Sequence, residues 1–353
     1  MVNTFNYTAP FLLESGQSLP GLQLAYTTHG KLNAAKDNVA WIFHALTANS
    51  DPLEWWAGLA GEGKLLDPAR YFIICVNKPG SPYGSISPLS INPETGEPYY
   101  SDFPVFTIRD MVKSYRLLKD HLGIQQIFIG LGGSTGGMQL LEWAIEEPAL
   151  FEHIVPIATN AALSPWGIAF NASQRMAIEA DETWTARRND AGQKGLAVAR
   201  SIALLSYRHY NGYGITQGRD KPFVPLSTSA SFAADNYQRY QGKKLVNRFH
   251  VLCYYRLTQS MDSHDVARNR GTAAEALAKI SAKTLVIGIS SDVLYPIHEQ
   301  EFLQQHIPGA ELLTISSDYG HDGFLLEYEK IETALQHFIT NDKSSFHLKV
   351  VNQ

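Results

Sequence analysis

The segment Gly132-Gly133-Ser134-Thr135-Gly136-Gly137 offers the clearest chemistry in the chain. An apolar run from Ile127 to Ile129 precedes it, and Met138, Leu141 and Ile145 follow at helical spacing until Pro148. A G-x-S-x-G pattern between a strand and a helix makes a nucleophile elbow, in which small neighbours permit a sharp, strained turn and expose the hydroxyl. Negative charge formed there meets the free N–H groups of a helix start. A phosphate-binding loop would need lysine after the glycines, and a dinucleotide loop would need G-x-G-x-x-G; neither is present.

A serine nucleophile needs a base, and the base needs an orienting carboxylate. Lys283 to Ser291 is a short apolar run typical of a buried parallel strand, with Asp292 just past its end. A second run, Glu311 to Ser316, leads into Asp318-Tyr319-Gly320-His321-Asp322-Gly323, which puts His321 on a glycine-containing loop ahead of a helix. The order Ser134, Asp292, His321 is that of an α/β-hydrolase. His321 would take the Ser134 proton and return it to the leaving group, while Asp292 fixes the imidazole tautomer. The oxyanion would lie against the backbone N–H of Thr135 and a second N–H from the loop His44-Ala45-Leu46-Thr47, where Leu46 is the chosen donor. Asp262 and Asp318 are rival acids, although Asp318, three residues before His321, suits a turn better. His44 reads as a structural partner of the oxyanion loop, and His264 as a residue that shapes a pocket or ends a helix.

The chain of 353 residues accommodates one α/β domain of roughly 240 residues plus an insertion. Its 44% hydrophobic content and 18% charged content describe a packed globular protein, and a net charge of −5 without basic runs gives no reason to invoke nucleic acid. Cys75 and Cys253 are isolated and lack metal-like spacing, with Cys75 placed in the core. No signal peptide or membrane span is legible, so a cytoplasmic location is expected.

Strands and hairpins are expected over residues 10 to 46, another strand at Tyr71 to Asn77, a helix at Ile108 to Leu122, the elbow, and a strand at His153 to Ala158. From about Ser164 the strand rhythm stops and helical patterns appear, including Gly195 to Tyr207 and Ala230 to Tyr240. Strands resume at Lys283, and a helix from Gly323 to Ile339 closes the domain. The fold expected is therefore an α/β-hydrolase fold, a mostly parallel sheet with helices on both faces. Residues 1–163 and 280–353 form its core, and 164–279 form a helical cap inserted between the sixth and seventh strands.

The sequence resembles the homoserine O-acetyltransferase family of α/β-hydrolase-fold acyltransferases over nearly its whole length. The landmarks are His44-Ala45-Leu46-Thr47, Tyr83-Gly84-Ser85, Ser90-Ile91-Asn92-Pro93, Ser101-Asp102-Phe103-Pro104, Thr107-Ile108-Arg109-Asp110-Met111-Val112, the Ser134 elbow and Gly320-His321-Asp322. The resemblance implies that acetyl-CoA, a co-substrate, acylates Ser134 and that the side-chain hydroxyl of L-homoserine takes the acetyl group, giving O-acetyl-L-homoserine for methionine biosynthesis. It assigns the substrate carboxylate to Arg208 and the ammonium to Asp322, implies a homodimer through the helical insertion, and calls for no cofactor or metal. From the residues alone, Arg208 suits stacking or surface packing equally well, and Asp322 suits a helix cap. The family usually carries methionine where Thr135 stands, and Leu46 to Ser50 and Lys78 to Pro82 also depart from its commoner loops. Succinyl-CoA as donor, L-serine as acceptor, and hydrolysis of a small ester by the same triad remain alternatives.

Overall fold

The computed structural model describes residues 2–219 and 232–340. Eight strands form the main sheet: β1 (Val2–Tyr7), β2 (Leu22–His29), β3 (Val39–Phe43), β4 (Phe72–Val76), β5 (Ile127–Gly133), β6 (Phe151–Ile157), β7 (Lys283–Ile289) and β8 (Glu311–Ile315). Their spatial order is β1-β2-β4-β3-β5-β6-β7-β8. The pairs β1/β2 and β2/β4 are antiparallel, and all others are parallel. A small hairpin, Phe11–Leu12 with Ser18–Leu19, accompanies the sheet.

The central strands are apolar along their length, as strands covered on both faces must be. All of β3 is buried, and so are Ile73 to Val76 of β4. Helices α1 (Ile108–His121) and α2 (Thr135–Glu146) follow β4 and β5. A reciprocal cap between Thr107 and Asp110 starts α1, satisfying amides that the helix itself leaves open. Its Met111, Val112, Tyr115 and Leu118 are buried, as their spacing requires. On this face Trp143 of α2 meets Trp41 of β3 edge-on, ring centroids 4.8 Å apart.

Between β6 and β7 come α3 (Pro165–Glu179), α4 (Gln193–Tyr207), α5 (Tyr210–Thr216), α6 (Ala233–Val246) and α7 (Val251–Asp262). Here α4 packs against α3 and α6. These helices thus follow the sixth strand of the main sheet. The helix expected from Ala230 runs from Ala233 to Val246, six residues beyond Tyr240, and residues 230 and 231 lie outside the described residues. After β7 come α8 (Ile297–His306) and, beyond β8, a closing region.

That closing region differs from the single helix expected over Gly323 to Ile339. One turn, Gly323–Leu326, is separated by non-helical Glu327 from α9 (Tyr328–Thr340). The tertiary fit explains the break, because the Tyr328 ring packs so closely on Gly58 that a Cβ there would lie 2.3 Å from it. Because β3 to β8 run parallel, the loops that follow them open at one edge of the sheet, where open α/β sheets bind ligands. The His44 loop, Lys78, Ser134, Asp292 and the His321 turn all leave the sheet at that edge.

Candidate active site

Ser134 occupies a backbone conformation that side-chain-bearing residues avoid, φ 57° and ψ −124°. Its N–H donates to Ile157 O at 2.9 Å, and its carbonyl accepts from Gly137 N at 2.9 Å, so the strained turn is held from both sides. The flanking glycines are steric necessities. A Cβ on Gly136 would sit 2.1 Å from Phe43 O, and one on Gly132 would sit 2.4 Å from Gly136 O. Strand β5, helix α2 and the end of β3 can therefore approach only through glycine.

Beside the elbow, His321 Nδ1 lies 2.6 Å from Asp292 Oδ2. The other carboxylate oxygen, Oδ1, accepts the amides of Leu294 and Tyr295 at 2.8 and 2.9 Å. Asp292 is thereby locked with one face toward the ring. Both residues are buried, and the rings of Tyr295, Phe324 and Tyr207 surround the imidazole at centroid distances of 5.1, 5.3 and 5.7 Å. Burial alone would lower the basicity of His321, but the adjacent Asp292 carboxylate, reinforced by Asp322, holds its pKa above the ordinary 6.5. In the base role expected of His321 from the sequence the imidazole must be neutral, so kcat/KM is expected to rise with pH along a limb centred above 6.5. A pH–rate profile checks this, and an acid limb centred below 6.5 contradicts it.

Ser134 and His321 line a cavity of about 460 Å³ together with Leu46, Asp322, Arg200 and Arg248. The Leu46 and Thr135 amides spend no hydrogen bond elsewhere among the described residues, which leaves two N–H groups on the loops flanking Ser134. The rival residues are occupied elsewhere. Asp262 pairs with Arg175 at 2.7 Å, and exposed Asp318 faces Asn211. His264 is buried against the Asn160 carbonyl at 2.8 Å. His44 accepts the Lys78 amide on Nε2 and contacts its own loop through Nδ1.

Arg208 and Asp322 are brought together. Arg208 Nη2 lies 3.1 Å from Asp322 Oδ2, both side chains partly buried. The contact depends on Gly320, at φ 65°, where a Cβ would lie 2.8 Å from the Arg208 backbone. Asp322 makes no side-chain cap to the turn that follows it. It lines the cavity directly, whereas Arg208 stands behind the lining in contact with it.

Three further basic residues escaped sequence reasoning. Arg200 stacks over Tyr207 and lines the cavity. Arg248 donates to Thr47 O and to the Tyr83 hydroxyl, both at 2.5 Å, at the cavity rim. Lys78 is buried behind the oxyanion loop; only its departure from the family pattern signalled it.

The fold and this constellation define an α/β-hydrolase-fold enzyme, and the family model for that fold matches residues 41–328. The chain is 47% identical over 326 residues to the homoserine O-acetyltransferase of Cyclobacterium marinum, covering 92% of each chain. It superposes on the homoserine O-acetyltransferase of Bacillus anthracis with a TM-score of 0.88 at 26% identity, covering 98% of this chain and all of the other. Esterase E22 is similar too, with a TM-score of 0.86 at 26% identity over 96% of this chain and all of that one. The chain belongs to the homoserine O-acetyltransferase family.

Proposed function

We propose that the protein transfers an acetyl group from acetyl-CoA to the side-chain hydroxyl of L-homoserine, a step of methionine biosynthesis, through an acyl-enzyme on Ser134. Ser134 Oγ attacks the thioester carbonyl while His321 takes its proton. The tetrahedral oxyanion rests on the Leu46 and Thr135 amides, then collapses as CoA leaves with that proton. The homoserine hydroxyl, deprotonated by the same imidazole, attacks the acyl-enzyme and leaves as O-acetyl-L-homoserine with Ser134 regenerated. Asp292 steadies the imidazolium in both halves.

The observation that carries the reading is the Arg208–Asp322 ion pair directly beside His321. A zwitterionic amino acid offers the complement of that pair, its carboxylate to the guanidinium and its ammonium to the carboxylate. Arg208→Ala is expected to raise the homoserine KM roughly tenfold to a hundredfold, with acyl-enzyme formation little changed. Steady-state kinetics at varied acceptor check this; an unchanged acceptor KM contradicts the assignment.

Residues 164–279 serve in this reading as a cap over the serine. Their exposed apolar side chains, among them Met176, Val198, Leu205, Tyr210 and Ile215, suit a homodimer interface. No helix among the described residues is long and apolar enough to cross a membrane, and a cytoplasmic location completes the reading.

Likeness to an esterase keeps hydrolysis as the second reading. CoA release from acetyl-CoA or succinyl-CoA, each with L-homoserine, L-serine or no acceptor, separates them. Acceptor-dependent formation of O-acetyl-L-homoserine supports transfer, acceptor-independent release supports hydrolysis, and a succinyl or serine preference moves only the substrate.

A further inference from the structure

Lys78, the second residue after β4, has almost no contact with solvent, at 1% exposure. Its Nζ donates to His44 O at 2.9 Å and to Thr135 Oγ1 at 2.8 Å, while its own amide donates to His44 Nε2 at 3.1 Å. Among the described residues no carboxylate pairs with it. Holding an ammonium out of water without a counter-charge is costly, and a protein retains such a group where its charge or hydrogen bonds serve something specific.

The two acceptors show what that is. His44 O belongs to the loop that carries the Leu46 amide, and Thr135 Oγ1 belongs to the residue whose own amide faces the same space. The Thr135 carbonyl accepts from Gln139 Nε2 at 2.8 Å, and Gln139 Oε1 accepts from the Tyr115 hydroxyl at 2.7 Å. A buried polar chain therefore runs from Tyr115 through Gln139 and Thr135 to Lys78 and His44.

We propose that Lys78 is a positioning residue of the acyl-transfer site, its ammonium clamping the Leu46 and Thr135 loops together and placing a buried positive charge behind the oxyanion. The inference rests on the reading of Ser134 as the acylated nucleophile. The charge acts through two elements that touch the oxyanion, and a water-excluded setting makes it more effective than a surface lysine.

Protonation of Lys78 follows from its surroundings. The titratable group facing it from the end of β3 is His44, and from β4 it is Cys75; α2 contributes the Thr135 hydroxyl, and Leu257 of α7 packs on the following Gly80. Burial pushes the Cys75 thiol up and the His44 imidazole well down, so both stay neutral. The carboxylate that acts on Cys75, Asp51, pairs with His29. Burial pushes Lys78 down to about 7. Its charged form is therefore lost as pH rises through neutrality, which adds an alkaline limb to the acid limb set by His321.

The test is the pH profile of kcat/KM for acetyl-CoA in the parent enzyme, Lys78→Gln and Thr135→Val, with Ser134→Ala alongside. Lys78→Gln keeps donors near both acceptors but carries no charge. It is expected to lower kcat/KM at neutral pH roughly tenfold to a hundredfold, less than deleting a direct oxyanion donor. It should leave the homoserine KM unchanged and abolish the parent's fall in activity above pH of about 7. Thr135→Val leaves Lys78 itself in place, keeps the residue-135 amide, and should move the alkaline limb to lower pH because the ammonium loses an acceptor. An alkaline limb that persists in Lys78→Gln, or one unmoved in Thr135→Val, overturns the proposal whatever the rate. Turnover by Ser134→Ala would instead overturn the acyl-enzyme reading, so the two failures are distinguishable.

Discussion

Ser134→Ala is expected to lower acceptor-dependent CoA release by on the order of 10⁴-fold or more while leaving the fold intact. The substitution removes only Oγ. The backbone hydrogen bond to Ile157 O remains, and the steric demands at Gly132 and Gly136 are unchanged. The free amides of Leu46 and Thr135 and the Arg208–Asp322 pair also survive, so under the proposed mechanism any residual rate measures what binding and electrostatics supply alone. The measurement is O-acetyl-L-homoserine formation by mass, with thermal unfolding of parent and variant compared. Near-parental turnover by a folded variant contradicts the mechanism.

Asp292→Asn should cost about 10⁴-fold in kcat with little change in either KM. Two backbone amides, from Leu294 and Tyr295, point at Oδ1 and demand an acceptor there. The asparagine must therefore keep its oxygen in that position and turn its NH₂ toward His321 Nδ1, 2.6 Å away in the parent. A donor facing Nδ1 forces the proton onto Nε2, the nitrogen that has to accept from serine. The fault is a wrong tautomer rather than a lost fold, so stability at neutral pH should fall far less than activity. A variant within tenfold of the parent rate would show that Asp292 does not set the tautomer.

The elbow was legible because its chemistry is local. Strand, glycine, serine, glycine and helix follow one another, and the backbone conflicts at Gly132 and Gly136 are what that pattern encodes. Asp292 and His321 were legible from chain order and from the apolar runs that end just before them. Arg208 and Asp322 were legible as residues through the family resemblance, but their mutual pairing was not. It depends on Gly320 letting one turn lie against the end of α4, a contact between segments more than a hundred residues apart. Lys78 was hidden for a different reason: a lysine in a Pro/Gly/Ser loop reads as solvated surface, and only the fold of β3, β4 and α2 around it takes its ammonium out of water. The break at Glu327 left no glycine or proline for a reader to find. It follows from the seating of Tyr328 on Gly58, a tertiary demand that overrode local helix preference.

The proposed mechanism requires a covalent acetyl-serine. The most direct measurement is mass analysis of the enzyme after brief mixing with acetyl-CoA in the absence of acceptor, followed by peptide mapping and a chase with L-homoserine. One acetyl group is expected on the peptide containing Ser134, with no adduct in Ser134→Ala and loss of the adduct during the chase as O-acetyl-L-homoserine appears. Turnover with L-homoserine but no acetylated Ser134 peptide under any quench, or an adduct that the chase leaves in place, would contradict it.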